Sequence, residues 1–556
     1  MKKSAKTNSA NSKCKENGNF KQKTYHGRDR DQLKKKKFAQ DTEVSRSQDF
    51  NQDPFWYAED QRAIQNMANF PFLDVVGKDL GETTDDNIPC MLVARYVPAI
   101  GGRLSSADVD NNSYLTRAAH AYFQYVAQGF TGDVPFESPD LLMTAIAGSG
   151  VLAAFELGRR AYGLMNYYLQ QNTYYAKTAV ESLGFNYEDL LTNMAEFRSG
   201  FNVRVNQVNT TIAVPKGFRI YDRWKFINSG IFTDSADMNY ASLYAWVAIA
   251  APKYRPVTMK TGTSLGWVNM PGSGVANMSL FTVQQYFDAL DECINSLIDD
   301  DVRAIFGAVR RVYTDSDLVR VDPMEMDYRQ PILMHDIVAM QFHNMKVGDG
   351  TFVGYGPGSL TTSGYTDTTT MLYQDANGNI KSEYGTLATD AVKFGPNKND
   401  SMLLDLYGHL AKPENILDAT TNMQIVSSQT FSYTTPGGQS ATYYEVLTRS
   451  EFIVDVYLTR RQTVNNVDYT DAKSVNLVYN IANSSVTIPL TERYNMLTHI
   501  GSHPIVHILD ANGKIYWYFG EIDKYTFIDH KEIAKLHRLT HYTLLAMPKN
   551  NQSVTK

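Results

Sequence analysis

From Ser113 to Gly129, Ala118, Tyr122, Phe123 and Val126 recur at helical spacing among polar residues. That periodicity predicts a helix with one apolar face, started by the Ser113 cap and stopped at Gly129. Ser138-Pro139-Asp140 places a cap residue and then a first-turn proline before an apolar run from Leu141 to Phe155, predicting a second helix. Thr282 and Gln285 have capping-box spacing ahead of Tyr286, Leu290, Cys293, Ile294 and Leu297, whose pattern puts Cys293 in a core rather than at a reactive site. Near the end, Asp529 and Glu532 open a further helix with Ile533 and Leu536 inward.

Between about Met345 and Leu490 the texture changes to Gly, Thr, Ser, Asn and Tyr, with alternating segments such as Glu451 to Thr459 and a turn at Pro436-Gly437-Gly438. Strands and hairpins are expected there. "FNVRVNQV", Phe201 to Val208, alternates in the same way and predicts a strand within the helical part, while "PIVHILDANGKIYWYF" predicts a hairpin about Asn512-Gly513. The organisation that follows is α+β: a disordered arm over 1–48, a helix-rich domain over 49–345, a strand-rich module over 346–490, and a C-terminal hairpin and helix over 491–556. Order is expected to begin near "DPFWY", Asp53 to Tyr57.

Charge alters this picture at the N-terminus. The 556-residue chain has a formal net charge of -6, yet residues 1–37 hold 13 basic and 3 acidic side chains, a net of +10. The remainder holds 40 basic and 56 acidic residues, a net of -16. Eleven of the 29 lysines fall in this opening segment, where Leu33 is the one aliphatic side chain of any size. Such a segment cannot bury enough apolar surface to offset the entropy of ordering. A block like Lys34-Lys35-Lys36-Lys37 can serve as a nuclear address, bind heparin or hold nucleic acid. The candidate nucleic-acid-binding residues are therefore Lys2, Lys3, Lys6, Lys13, Lys15, Lys21, Lys23, Arg28, Arg30, Lys34, Lys35, Lys36 and Lys37. They would neutralise phosphates without reading bases.

The three cysteines, Cys14, Cys90 and Cys293, are too few and too far apart for a disulfide framework and suit a reducing compartment. The polar, lysine-rich start has no secretory signal, and the apolar run at Leu141 to Phe155, interrupted by Gly148-Ser149-Gly150, is shorter than the ~20 residues of a membrane span. Gly262-Thr-Ser264-Leu-Gly266 matches the nucleophile-elbow pattern of serine hydrolases, but the residues after it read as a loop rather than a helix. "DANGNIKSE" from Asp375 begins like a calcium loop, but its glycine comes too early and Thr386 stands where the bidentate glutamate belongs, so a hairpin turn is expected. His537 and His541 share one helical face, a spacing that can hold zinc or report pH, without an evident third ligand. No catalytic residue, metal or cofactor is expected. The 12% aromatic content, with clusters such as Tyr167-Tyr168 and Tyr174-Tyr175, suits extensive subunit contacts.

A flexible cationic arm on an acidic, aromatic-rich body poor in motifs suits a coat protein. The arm, the helix-rich middle with "FNVRVNQVNTTIAVPKGFRIYDRWKFINSGIFTDSADMNYASLYAWVAI" (Phe201 to Ile249) and the later Thr/Gly/Tyr-rich region together resemble the capsid proteins of picobirnaviruses, close to the human form. The texture is shared with other double-stranded RNA virus coats such as those of partitiviruses. The resemblance spans essentially the whole chain and carries no short diagnostic motif. It implies a non-enzymatic protein that assembles as symmetric dimers into a small icosahedral shell around RNA, with 49–345 as shell domain, 346–490 as a protruding domain, and 491–556 belonging to the shell or exchanged between dimer partners. It further implies residence in the virion, assembly in the host cytoplasm, an arm facing the packaged RNA, and contact with a host membrane or receptor during entry. A serine hydrolase using Ser264, and a non-viral nucleic-acid-binding protein with a nuclear-localisation tail, are the alternatives from the residues alone.

Overall fold

The computed structural model describes residues 88–102, 113–130, 133–171, 173–233, 242–256, 262–345, 352–354, 370–387, 402–406, 408–434, 440–464, 467–474, 506–509, 515–519 and 525–548. The aromatic run at Asp53 to Tyr57 lies outside them. Strand β1 (Ile88–Pro98) comes first, then helices α1 (Tyr114–Ala127), α2 (Ser138–Gln171), α3 (Thr173–Ser182), α4 (Tyr187–Thr192), α5 (Met194–Thr211) and α6 (Arg219–Ser229). Strands β2 (Ile231–Thr233), β3 (Leu243–Ala248), β4 (Ala250–Arg255) and β5 (Ser264–Asn269) lead to helices α7 (Val283–Asn295) and α8 (Asp300–Val312). Next come β6 (Ile332–Met334), α9 (Asp336–His343), β7 (Phe352–Gly354), β8 (Thr370–Gln374), β9 (Ile380–Lys381), β10 (Tyr384–Leu387), β11 (Met402–Asp405) and α10 (Pro413–Ala419). The chain closes with β12 (Ile425–Thr434), β13 (Ser440–Leu447), β14 (Glu451–Val464), β15 (Val467–Ser474), β16 (Val506–Leu509), β17 (Ile515–Phe519), β18 (Tyr525–Ile528) and α11 (His530–Leu544). The class is α+β, as the patterning implies.

Strand β1 organises the largest sheet, whose order is β15-β14-β1-β3-β2-β6. It runs antiparallel to β14 and parallel to β3. A strand paired on both edges and covered on both faces reads as a continuous apolar run, and the stretch from Cys90 to Ile100 is buried throughout. The polar interruption, Arg95, is matched by Asp455 of β14: Nε and Nη2 donate to the two carboxylate oxygens at 2.6 and 2.5 Å. The strand-rich stretch 346–490 contributes to four sheets, β11 pairing antiparallel with β18 in one of them. Strands β7, β10, β12 and β13 form one of their own, β8 and β9 extend β4 and β5, and β14 pairs with β1 and carries β15 on its other edge.

Helix α2 is the core helix. It continues for 34 residues straight through Gly148-Ser149-Gly150, where the sequence reading placed a break. The glycines serve packing instead. A Cβ on Gly150 would fall inside the Pro252 ring of β4, and Ser149 returns its hydroxyl to the Ala145 carbonyl at 2.7 Å. Among the described residues this helix is long and apolar enough to cross a membrane, but its apolar window is wholly buried within the fold. The Ser113 cap holds as expected, accepting from Thr116 N at 3.2 Å. So does the capping box of α7, with Thr282 Oγ1 accepting from Gln285 N and Gln285 Oε1 accepting from Thr282 N.

The strand expected at "FNVRVNQV" is instead the second half of α5. Phe197, Phe201, Val205 and Val208 form its buried stripe, whereas Val203, the residue that completes the alternation, is 64% exposed. Helical spacing and period-two alternation coincide at Phe201 and Val205, and eight residues are too few to separate them. Asp375 does build the expected hairpin turn: its side chain accepts from Asn377 N and Asn379 N, and Gly378 takes φ +80°. Strands β16 and β17 pair antiparallel as the hairpin reading of that region requires, while Asn512 and Gly513 lie outside the described residues.

Candidate assembly and nucleic-acid interface

All thirteen candidate cations from Lys2 to Lys37 lie outside the described residues. Within those residues several buried and half-buried arginines are committed to the fold. Arg204 of α5 makes a bidentate pair with Asp291 of α7 at 2.7 and 2.6 Å. Arg223 of α6 donates twice to Glu451 Oε1, at 3.0 and 2.5 Å, and Glu451 also accepts from Asn422 at 3.0 Å. Arg449, just ahead of β14, donates to the Leu417 carbonyl and to the Thr420 and Thr421 hydroxyls; burial lowers its guanidinium to about 10. Pairs with such geometry fix one conformation and leave little free charge for a polyanion.

The chemistry weighed at Ser264 is not assembled. Ser264 heads β5 with Arg255 opposite on one side and Tyr373 on the other, and the chain after it continues as strand to Asn269 rather than turning into a helix. Both glycines of the pattern are spacing residues: a Cβ on Gly262 would meet Gln374, and one on Gly266 the Arg255 guanidinium. A nucleophile elbow needs a strained strand-to-helix turn that exposes the serine, and this one is half-buried in a ladder.

The two histidines of α11 face inward. With Ile533 and Leu544 they form its buried face, and both are fully buried. His537 Nε2 lies 2.7 Å from the Met423 carbonyl, and His541 Nε2 lies 2.9 and 3.0 Å from the Thr448 and Arg449 carbonyls, contacts that require an N–H on each Nε2. Tyr114 of α1 stacks on His541 with ring centroids 4.2 Å apart. Burial, reinforced by the nearby Arg449, drives both imidazoles to the neutral form, His541 down to about 3. They are clamps inside the fold. No group of three His, Cys, Asp or Glu suited to a metal ion occurs among the described residues. Cys90 and Cys293 are buried, and burial pushes both thiols up to about 12.

The sequence model of the family described as picobirnavirus capsid protein matches residues 56–449. The chain belongs to the picobirnavirus capsid protein family. A human picobirnavirus capsid protein precursor (strain Human/Thailand/Hy005102/-) is 22% identical over 391 residues, 66% of this chain and 68% of that relative. The crystallographic structure of a picobirnavirus capsid superposes with a TM-score of 0.65 at 18% identity, covering 91% of this chain and 99% of that one. The capsid protein thus shares the fold of that structure, and the helix-rich body with several sheets is the family's architecture. Membership carries assembly with copies of itself into a capsid, residence in the virion, and a structural role.

What sequence reading missed in this body are the strand β1 and the buried carboxylate Glu451. For β1 the signal was present: "CMLVARYV" is an apolar run of strand length rich in β-branched and aromatic residues. For Glu451 there was none, because its partner Arg223 lies 228 residues away.

Proposed function

We propose that this capsid protein forms symmetric dimers that close into a shell around double-stranded RNA, with residues 1–37 holding the RNA by charge. The observation that carries the reading is the opposed polarity of one chain, +10 in residues 1–37 against -16 in the rest. An acidic wall repels RNA, and a cationic tether on each subunit offsets that repulsion. Each phosphate neutralised releases a condensed counterion, so the binding is sequence-independent and falls steeply with salt. Many weak arms on one polyanion act with high effective concentration, which removes the need for a dedicated site on the body. A protrusion, on this reading, is drawn from 346–490, the stretch whose strands β7, β10, β12 and β13 make a sheet of their own. Assembly takes place in the host cytoplasm, and the outer surface meets a host receptor or membrane.

Expressed full-length protein and a variant lacking residues 1–48 test this. Both are expected to give closed particles by negative-stain microscopy, with co-purifying RNA, read from the ratio of absorbance at 260 and 280 nm, retained by the first and lost by the second. Particles of the truncated chain that keep their RNA overturn the role of the arm. Sedimentation of unassembled protein as a monomer overturns the dimer.

A further inference from the structure

Of the four buried side chains of α11, two are imidazoles, His537 and His541, set between Ile533 and Leu544. The helix lies against α1, α6 and β12 and closes a small second core that Ile533 shares with Met340, Leu404, Met423, Ile425 and Leu447. Each ring directs its Nε2–H at backbone carbonyls, that of Met423 for His537 and those of Thr448 and Arg449 for His541. Each Nδ1 is buried without a hydrogen-bond partner. Two neutral rings fit this arrangement. An added N–H on Nδ1 has no acceptor to meet, and a buried donor left unpaired is costly.

The surrounding charges increase that cost. Arg449 faces both rings, and Arg538 lies beside His541 on α11 itself. Arg117 of α1 is turned to the Tyr542 hydroxyl. The carboxylates of the neighbourhood face arginines: Glu451 accepts from Arg223 of α6, and Asp418 of α10 acts on Arg449. The Tyr114 ring stacked on His541 presents a π-face that a cation favours, but burial and the two arginines outweigh it and keep the imidazole neutral. Once α11 leaves its seat, water solvates an imidazolium on either ring. The docked helix therefore needs two neutral rings, whereas the released one accepts two protons.

We propose that α11 is an acid-sensitive latch: protonation of His537 and His541 frees the helix from α1 and from the second core while the main core stays folded. The latch is shut near neutral pH and opens on acidification, uncovering Met423, Ile425 and Leu447. It is a property of the wall and does not depend on how RNA is held. Helix α7 is the internal reference, since it buries Tyr286, Phe287, Leu290, Cys293 and Ile294 and no histidine.

Hydrogen–deuterium exchange of unassembled full-length protein at about pH 7 and about pH 4.5, corrected for the intrinsic pH dependence of exchange and read by peptide mass, tests the latch. The released state takes a proton on His541 at the ordinary value of 6.5 and the docked state only near 3. At about pH 4.5 the population of released helix is thus expected to rise roughly a hundredfold through that ring alone, with His537 adding to it. Protection across 530–544 is expected to fall by at least that factor, and α11 is expected to exchange ahead of α7 at both pH values. In a His537→Gln, His541→Gln double variant, checked for folding by its far-UV spectrum at about pH 7, the fall is expected to shrink by a hundredfold or more; His541→Gln alone takes its place if the double variant does not fold. A fall of less than tenfold in wild type overturns the latch. Equal protection of α11 and α7 shows that opening is global and overturns it as well, and a folded variant that keeps the full wild-type fall removes the histidines as its cause.

Discussion

His541 makes the fold sensitive to acid in a direction and amount that can be worked out. It is fully buried, its Nε2–H donates to the Thr448 and Arg449 carbonyls, and its ring is stacked under Tyr114. The nearby charged and titratable groups are Arg449, Arg538 and His537, none of which welcomes a second cation. In the folded chain the imidazole titrates at about 3, against an ordinary value of 6.5. The folded pKa lies below the unfolded one, so the unfolded chain binds the extra proton first. The stabilisation from the neutral ring is therefore complete above about pH 6.5 and is lost as pH falls toward 3. At about pH 4.5 the two-unit gap from 6.5 corresponds to about 3 kcal/mol. His537 is shifted in the same sense and adds to the loss. The assay is urea denaturation of unassembled protein, followed by tryptophan fluorescence at about pH 7 and about pH 4.5, for wild type and His541→Gln. Glutamine keeps an amide donor for the carbonyls and cannot ionise in this range. Carboxylates titrate in both proteins, so the difference between their pH dependences isolates the imidazole: wild type is expected to lose about 3 kcal/mol more than the variant across this interval. Equal losses in the two proteins refute the buried neutral ring.

Glu451→Ala leaves Arg223 paired with nothing ionised in a site where the carboxylate is fully buried; a loss of about 3–5 kcal/mol in unfolding free energy is expected, and a loss under 1 kcal/mol in the same denaturation measurement contradicts it. Gly150→Val drives methyl groups into Pro252 and is expected to cost about 1–3 kcal/mol, whereas Gly307, where an added Cβ meets nothing within 4 Å, tolerates alanine with no loss. Cys293, buried with its thiol pushed up to about 12, is expected to stay unmodified by a thiol-specific reagent in native protein and to react on unfolding; modification of Cys293 in native protein, located by peptide mass mapping, contradicts the placement.

Local signals were legible where one element carries all of them. The caps at Ser113 and Thr282, the Asp375 turn and the inward stripe of α7 depend on residues within a turn or two of each other, and each was readable. What could not be read depends on partners far away in sequence. The alternation at Phe201 to Val208 is compatible with two periods, and Phe197, one turn earlier, decides for the helix by packing against Phe287. The glycines of α2 resemble a break until Pro252 is brought against Gly150. His537 and His541 at one-turn spacing have the form of a metal pair, and only the carbonyls of Met423, Thr448 and Arg449 make them core residues.

The same distinction separates the two kinds of basic residue in this chain. Arg95, Arg204, Arg223 and Arg460 each meet a carboxylate within 2.6 Å, and removing any one takes the facing cation away from a buried or half-buried anion. The lysines before residue 38 have 3 acidic side chains among them, so their charge is not cancelled locally and must be balanced by small ions or by another molecule. In an assembling protein that asymmetry separates two properties that could have been linked. Substitutions at the paired arginines act on folding and hence on whether a shell forms. On the proposed reading, replacing Lys34 to Lys37 changes what the shell carries while leaving the contacts of the wall unaltered.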